Sequence, residues 1–316
     1  RSSFRVRGDV EARLAITHRA RSVIGGQVRL KQEAADFVWA QNAGDHSWQR
    51  VIAVMTLTLL PLIALAVISQ HVIMPSIMEL GKEEKAARSV AIALYLGGVF
   101  AIAVALLCLG TKLIHKRDPR SLLTFGNRFP VGRILMGFAL YAVLFLIIRA
   151  ITKPGAITNS IGDKGIETLA ITALPLALAL VCQGGGEEVL MRSYLPQVLT
   201  RWFKRPLVAL LIPAVIFAAL HFIYGPNAFA FSGMFALFAT AVVLMTGGVG
   251  EIAGAHAANN FLIAWLFSDL TEATKGDPSS LDWNVIAADV CIFAGFLGCL
   301  FGAHLWAARD TQKAPD

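Results

Sequence analysis

Eight long apolar stretches constrain the fold more than any other feature of this sequence. A helix needs roughly 20 predominantly apolar residues to cross the hydrocarbon core of a bilayer, and each stretch is close to or above that length. Only 16% of the 316 residues are charged, against about 25% in soluble domains. We therefore predict an all-α, polytopic bundle of about eight transmembrane helices. The predicted spans are 51–76, 89–112, 131–151, 167–199, 206–223, 229–247, 250–268 and 285–308.

The basic residues predict how the bundle is oriented, because Lys and Arg concentrate in the cytoplasmic loops of membrane proteins. Nine lie in residues 1–50, and two further groups follow the second and fourth spans. These groups are Lys116, Arg117, Arg120, Arg128 and Arg133, and then Arg201, Lys204 and Arg205. With eight spans, and one unbroken fourth span, all three segments share a side opposite the acidic loop 269–284. Both termini are therefore predicted to be cytoplasmic, in a bacterial inner membrane.

Two classes of site are not predicted from the composition. Nucleic acid is a poor candidate partner, because no stripe of Lys and Arg with interleaved aromatic residues is present. The four cysteines lie in apolar stretches without metal-ligand spacing, and we interpret them as small packing residues.

Ionisable side chains within the apolar stretches identify a candidate site. A charge at the bilayer centre costs about 2.5–3.5 kcal/mol on insertion scales, so such residues usually face the bundle interior and find partners. The fourth span contains Glu187, Glu188 and Arg192. Glu188 and Arg192 are four residues apart and share a helix face, whereas Glu187 is turned about 100° away, towards a cavity. The three glycines before Glu187 allow a bend or the close approach of another helix.

Two other spans contribute polar residues at helical spacing. His221 follows Phe217 by four residues in the fifth span, and Asn260 follows His256 by four in the seventh. Taken singly, each residue is as consistent with helix packing as with chemistry. Together the three spans supply two carboxylates, an arginine, two histidines and an amide, which favours one polar cavity near mid-membrane.

The three clusters resemble the motifs of the CPBP intramembrane proteases. This family includes the Rce1-type CAAX prenyl endopeptidases and the bacterial bacteriocin-processing Abi proteins. EEVLMR at 187–192 resembles its EExxxR motif, FAALH at 217–221 its FxxxH motif, and HAANN at 256–260 its HxxxN motif. The motifs occur in the family's order on separate predicted helices, and the resemblance covers residues 125–308.

The resemblance implies an endopeptidase that hydrolyses a peptide bond of a membrane-associated protein or peptide. Glu187, with His221, would activate a water molecule as general base. His256 and Asn260 would donate hydrogen bonds to the oxyanion of the tetrahedral intermediate.

The resemblance also implies that the Glu188–Arg192 pair holds the site and that no cofactor is needed. Membrane lipid and a peptide substrate are the implied partners. The chain then divides into four predicted segments. These are a cytoplasmic or membrane-surface segment (1–50), two transmembrane helices with a basic loop (51–125), the CPBP-like protease core (126–308) and a cytoplasmic tail (309–316).

Three other functions remain open. Two histidines and a glutamate are a plausible zinc set, although no HExxH helix is present. A CPBP-like fold could serve as an immunity protein or as a scaffold subunit of a larger membrane complex, because ion-pair networks can be purely structural. An intramembrane Glu and His cluster could also relay protons in a transporter, but no repeat symmetry supports that function.

Overall fold

Helices dominate the structure, as the apolar stretches predict. The computed structural model describes residues 36–38, 47–80, 85–124, 130–267 and 281–313. Within these ranges there is no β-strand, and the one β-type contact is an isolated bridge between Thr124 and Gly248.

Besides the helical residues 36–38, the described ranges contain eleven α-helices, several of them joined by π-helical or 3₁₀ turns. The α-helices are α1 (Trp48–Ile68), α2 (Met74–Leu80), α3 (Lys85–Leu113), α4 (Val131–Thr152), α5 (Ala156–Lys164), α6 (Ile166–Glu188), α7 (Leu195–Phe203), α8 (Pro206–Leu220), α9 (Pro226–Thr246), α10 (Gly250–Leu262) and α11 (Trp283–Lys313). The π-helical turns are Ser69–Ile73, Val189–Tyr194 and Ile263–Phe267, and the 3₁₀ turns are Pro119–Leu122 and Phe222–Tyr224.

Seven helical stretches in the described part of the chain are long and apolar enough to cross a membrane. They are 48–79, 86–113, 131–152, 166–203, 207–224, 226–246 and 283–303. Their outer faces carry large exposed apolar side chains such as Leu135, Ile171 and Val215. Exposed apolar surface of this extent is suited to lipid rather than to water. The predicted all-α polytopic bundle is confirmed, and the chain is an integral membrane protein.

The fourth span is a single helical rod. It runs over 38 residues, Ile166–Phe203, and is about 57 Å long at about 1.5 Å per residue. That length exceeds the hydrocarbon core of about 30 Å, so one end of the rod extends beyond it. The unbroken helix agrees with the prediction of one fourth span rather than two, which was based on Arg201, Lys204 and Arg205. Arg201 lies in the last turn of the rod, and Lys204 and Arg205 follow it.

The predicted span 250–268 forms an inner helix that is not among the seven candidate membrane spans. Twelve of the thirteen residues of α10 are buried, Asn260 being the partly exposed one, and the helix packs mainly against α4 and α6. A Cβ atom at Gly254 would lie 2.0 Å from the carbonyl oxygen of Ile134, so α4 and α10 meet backbone to backbone. Because protein surrounds α10, it does not need the continuous apolar surface that lipid requires.

The two ends of this inner segment are held by different parts of the bundle. At its start, Oε1 of Glu251 lies 2.5 Å from Nε of Arg133, near the start of α4. Beyond its end, Nζ of Lys164 donates hydrogen bonds to the carbonyl oxygens of Ala264 and Trp265, at 3.1 and 2.9 Å. The count of eight crossings and the cytoplasmic placement of both termini stay predictions.

Some predictions concern residues outside the described ranges. They include most of the N-terminal segment 1–50, Arg128, most of the acidic loop 269–284 and the last residues of the tail. The division of the chain into four segments therefore also stays a prediction.

Candidate active site

The first motif lies where the α-helical hydrogen bonding of α6 changes to a π-helical turn. Glu187 and Glu188 are the last two residues of α6, and the turn Val189–Tyr194 contains Arg192. Single π-helical turns within helices occur frequently at functional sites. The apolar pattern of this stretch is compatible with an uninterrupted α-helix, so the turn is not predicted from the sequence.

A close approach of α6 to α10 brings the first and third motifs together. A Cβ atom at Gly184 would lie 3.1 Å from the amide nitrogen of Ala257 and 3.2 Å from Cγ of His256. A side chain here would therefore push the two helices apart. Of the two roles predicted for the glycine run, the structure shows the close approach, while α6 continues as an α-helix through Glu188.

Glu188 is the fully buried member of the acid pair. Nε of Arg192 lies 3.2 Å from its Oε2, an ion pair that lacks hydrogen-bond geometry. Nδ1 of His256 lies 2.8 Å from its Oε1 and completes a hydrogen bond between α6 and α10. Each carboxylate oxygen of Glu188 therefore has one basic neighbour, and the predicted Glu188–Arg192 pair is present.

Glu187 is more open and is held by a different neighbour. Its side chain is 18% exposed, against 0% for Glu188, and its Oε1 accepts a hydrogen bond from Nε2 of Gln183. Its Oε2 has no hydrogen-bond partner among the described residues and lies 3.7 Å from Nε2 of His256. One imidazole ring thus faces both carboxylates, through a different nitrogen for each.

Phe217 joins the second motif to the other two. The guanidinium carbon of Arg192 lies 4.3 Å from the centroid of the Phe217 ring, a cation–π contact. The ring centroids of His221 and His256 lie 4.5 and 6.0 Å from the same ring, and His256 approaches edge-on. We had assigned no chemical role to Phe217, although the motif contains it.

His221 lies at the C-terminal end of α8 and is half-buried. Its Nδ1 is 2.8 Å from the carbonyl oxygen of Phe217, so in the neutral ring Nδ1–H donates and Nε2 is the acceptor. Among the described residues, His221 forms no hydrogen bond or ion pair with Glu187. The histidine in contact with Glu187 is His256, whereas the sequence had paired Glu187 with His221.

Asn260 belongs to a chain of four hydrogen bonds that ends at Glu187. Its Nδ2 donates to Oε1 of Gln183 at 2.8 Å, and Gln183 donates in turn to Glu187. Nδ2 of Asn259 donates to Oδ1 of Asn260 at 3.0 Å, and the Tyr141 hydroxyl donates to Oδ1 of Asn259 at 3.0 Å. The chain therefore links α4, α10 and α6.

Three members of this chain, Gln183, Asn259 and Tyr141, are not among the site residues predicted from the sequence. Gln183 precedes Glu187 by four residues, a spacing that places both on one helix face, and this signal could have identified it. Tyr141 is 118 residues from its partner Asn259, and no local pattern indicates that contact.

Arg192 supplies positive charge beside the buried carboxylate. Burying a carboxylate requires compensating positive charge, and Nε of Arg192 lies 3.2 Å from Oε2 of Glu188. In the described ranges, no group of three or more His, Cys, Asp or Glu side chains is arranged to hold a metal ion. The arrangement has the groups needed for acid–base chemistry: a carboxylate with one unpaired oxygen, an adjacent imidazole and an amide donor.

Comparisons with known proteins agree with the motifs. Residues 169–262 match the sequence model of the Type II CAAX prenyl endopeptidase Rce1-like family. The chain is 29% identical over 194 residues to the uncharacterized protein YyaK of Bacillus subtilis, a match that covers 59% of this chain and 65% of that protein. No solved structure matches. The match includes all three motifs, so residues 169–262 are similar to the Rce1-like family across the whole candidate site.

Proposed function

We propose that the protein is an intramembrane endopeptidase, in which Glu187 activates a water molecule that cleaves a membrane-associated protein or peptide. The Rce1-like family is a family of CAAX intramembrane proteases, which supports the reaction class. One observation carries the proposal for the mechanism: Oε1 of Glu187 is held by Gln183, while Oε2 is unpaired and lies 3.7 Å from Nε2 of His256.

In the proposed reaction, a water molecule enters beside Oε2 of Glu187 and Nε2 of His256, which lie 3.7 Å apart, and forms a hydrogen bond with that carboxylate oxygen. Glu187 takes one proton as the water oxygen attacks the carbonyl carbon of the scissile bond. The same proton then passes to the amide nitrogen as the C–N bond breaks, so Glu187 returns to its charged form. The contacts favour His256, rather than His221, as the histidine that works with Glu187.

Asn260 is the proposed donor to the oxyanion. An amide group carries two N–H bonds, and the hydrogen bond to Gln183 uses one of them, so the second can be directed at the substrate. His221 is proposed as a further acceptor at the site, because the carbonyl oxygen of Phe217 uses its Nδ1–H and leaves Nε2 as the acceptor, and its ring packs against Phe217 beside His256. Glu188 and Arg192 are proposed to hold His256 in place.

We place the enzyme in a bacterial cytoplasmic membrane, in contact with lipid and with a peptide substrate. The basic loops and the bacterial relative support this location. The substrate, whether prenylated or not, is left for experiment, and no cofactor is part of the proposed mechanism.

The proposal is tested by incubating purified wild-type protein and Glu187→Gln with a library of membrane peptides. The variant keeps the size of the side chain but removes the base, and a loss of about a hundredfold to ten-thousandfold is expected. Glu167→Gln is the matched control, because Glu167 is an exposed residue of the same helix.

A strong zinc chelator is added in a parallel series. Cleavage that resists the chelator and is lost in Glu187→Gln supports the glutamate mechanism. Loss of cleavage with the chelator would instead indicate a metalloprotease. If Glu187→Gln and the wild type restore a deletion strain equally well, the protein acts as a scaffold or immunity subunit, and proton-linked uptake would indicate a transporter.

A further inference from the structure

A basic cavity lies outside the candidate active site, at the end of α3. It has a volume of about 670 Å³ and is lined by Lys112, Lys116, Arg117, Asp118, Pro119 and Arg120. Four of these side chains are cationic and one is acidic. The acidic one is engaged locally, because Oδ1 of Asp118 accepts a hydrogen bond from the backbone N–H of Arg120. The cavity therefore has a strong excess of positive charge.

Arg117 is the buried member of this group, with 6% of its surface exposed. Its Nη2 donates a hydrogen bond to Oε1 of Gln197 at 2.7 Å, but its Nε and Nη1 have no hydrogen-bond partner among the described residues. Its burial lowers the pKa of the guanidinium to about 10, which leaves it charged at neutral pH. A buried charge without a counter-charge is costly, so an anion in the cavity would stabilise Arg117.

The backbone turns sharply at Lys116, the residue before Arg117. Lys116 adopts φ 53°, a left-handed conformation that is uncommon for a residue with a side chain. Exposure changes at this residue: Lys112 and Lys116 are exposed, whereas Arg117, which follows Lys116 directly, is buried. The adjoining end of α3 is a helix C-terminus, whose partial negative charge opposes an anion. The side chains must therefore supply all of the attraction.

The position of the cavity indicates where the anion comes from. Leu113 is the last residue of the candidate span 86–113, follows Lys112 of the cavity directly, and is 61% exposed. Trp202 is 50% exposed near the end of α7, on the rod that Gln197 ties to Arg117. Tryptophan is enriched at the level of lipid headgroups. Cations thus lie beside exposed apolar surface, as a phospholipid requires.

We propose that this cavity binds the phosphate of an anionic phospholipid headgroup, with the acyl chains lying along the apolar surface that ends at Leu113. Planar guanidinium groups are suited to bidentate contact with phosphate, and basic pockets at the membrane surface are known to recognise anionic headgroups. A free phosphate ion has the same charged chemistry without the acyl chains. The experiment therefore separates the two sources.

The test uses the full-length chain purified in a mild detergent. Lipid binding is measured by native mass spectrometry with phosphatidylglycerol, with phosphatidylcholine as the zwitterionic reference and with inorganic phosphate as the competitor. Arg117 is left in place, because it is buried and bonded to Gln197. The cavity variant is the triple Lys112→Gln, Lys116→Gln, Arg120→Gln, which changes three exposed residues.

The matched control is the triple Arg201→Gln, Lys204→Gln, Arg205→Gln. It removes the same charge from exposed residues at the end of the long rod and directly after it, none of which lines the cavity. We expect the affinity for phosphatidylglycerol to fall on the order of a hundredfold in the cavity triple, at about fivefold for each charge removed. The control triple is expected to stay within a few-fold of the wild type.

Two results would overturn the proposal. An equal loss in both triples would mean that phosphatidylglycerol responds to general surface charge rather than to this cavity. Inorganic phosphate that displaces phosphatidylglycerol at comparable concentrations would mean that the acyl chains contribute nothing, and the lipid assignment would be replaced by a free anion. Because the readout is binding, the test does not depend on whether the protein cleaves peptides.

Discussion

The hydrogen bonds of Gln183 provide the sharpest test of how the site is organised. Gln183→Leu keeps the approximate volume of the side chain and removes both its donor and its acceptor. Glu187 then loses the hydrogen bond to its Oε1, and Asn260 loses the acceptor of its Nδ2. The proposed base and the proposed oxyanion donor are therefore released together.

The magnitude follows from the two bonds. A hydrogen bond to a charged group contributes about 1.5–3 kcal/mol and one between neutral groups about 0.5–1.5 kcal/mol. Gln183, Glu187 and Asn260 are all partly exposed, so we expect a cost near the lower end, about 2–3 kcal/mol in total. If this cost falls on the transition state, kcat/KM decreases by about 30- to 150-fold.

The assay is cleavage of the best peptide from the library over a range of concentrations, so that kcat and KM are separated. A loss of positioning is expected mainly in kcat, because substrate binding does not use these bonds. Cys182→Leu is the matched control: it is the preceding residue, and its side chain is exposed. Folded Gln183→Leu protein with kcat within threefold of the wild type would refute the idea that this chain holds the base.

Three other substitutions test the surroundings of the site. Glu188→Gln leaves the buried Arg192 without its carboxylate and is expected to destabilise the protein by about 3–5 kcal/mol. The loss is measured as a lower temperature of thermal unfolding. An unchanged melting curve would contradict the burial of this pair. Gly254→Leu inserts a side chain where α4 and α10 meet and is expected to prevent a monodisperse elution in size-exclusion chromatography. Gly298→Leu is the control and should elute normally, because a Cβ atom at Gly298 would have open space around it. Phe217→Leu removes the ring that Arg192 contacts, and cation–π contacts in desolvated sites contribute about 2 kcal/mol. We expect kcat to fall by at least tenfold. Wild-type activity would show that the ring is dispensable.

Much of the transmembrane plan could be predicted, because lipid leaves an apolar stretch few alternatives to a helix. The single fourth span was predicted from the basic residues at its end, which one helix keeps on the same side as the other basic segments, and the Glu188–Arg192 pair was predicted from four-residue spacing. The inner position of α10 was harder to predict from the sequence. Its neighbours come from distant parts of the chain, and Gly254 contacts Ile134 only once the bundle has assembled.

The amino-acid sequence alone predicts the helical membrane fold, the resemblance of the three motifs to a family, and the acids, bases and amide of the candidate site. These properties depend on residue type and on spacing along one helix. Three contacts became evident only from the packed helices: His256 rather than His221 faces Glu187, Tyr141 donates to Asn259, and Arg117 is buried without a counter-charge among the described residues. The physical reason is the same in each case: a side chain's partner on another helix depends on how the helices pack, and neither hydropathy nor spacing within a helix determines that packing.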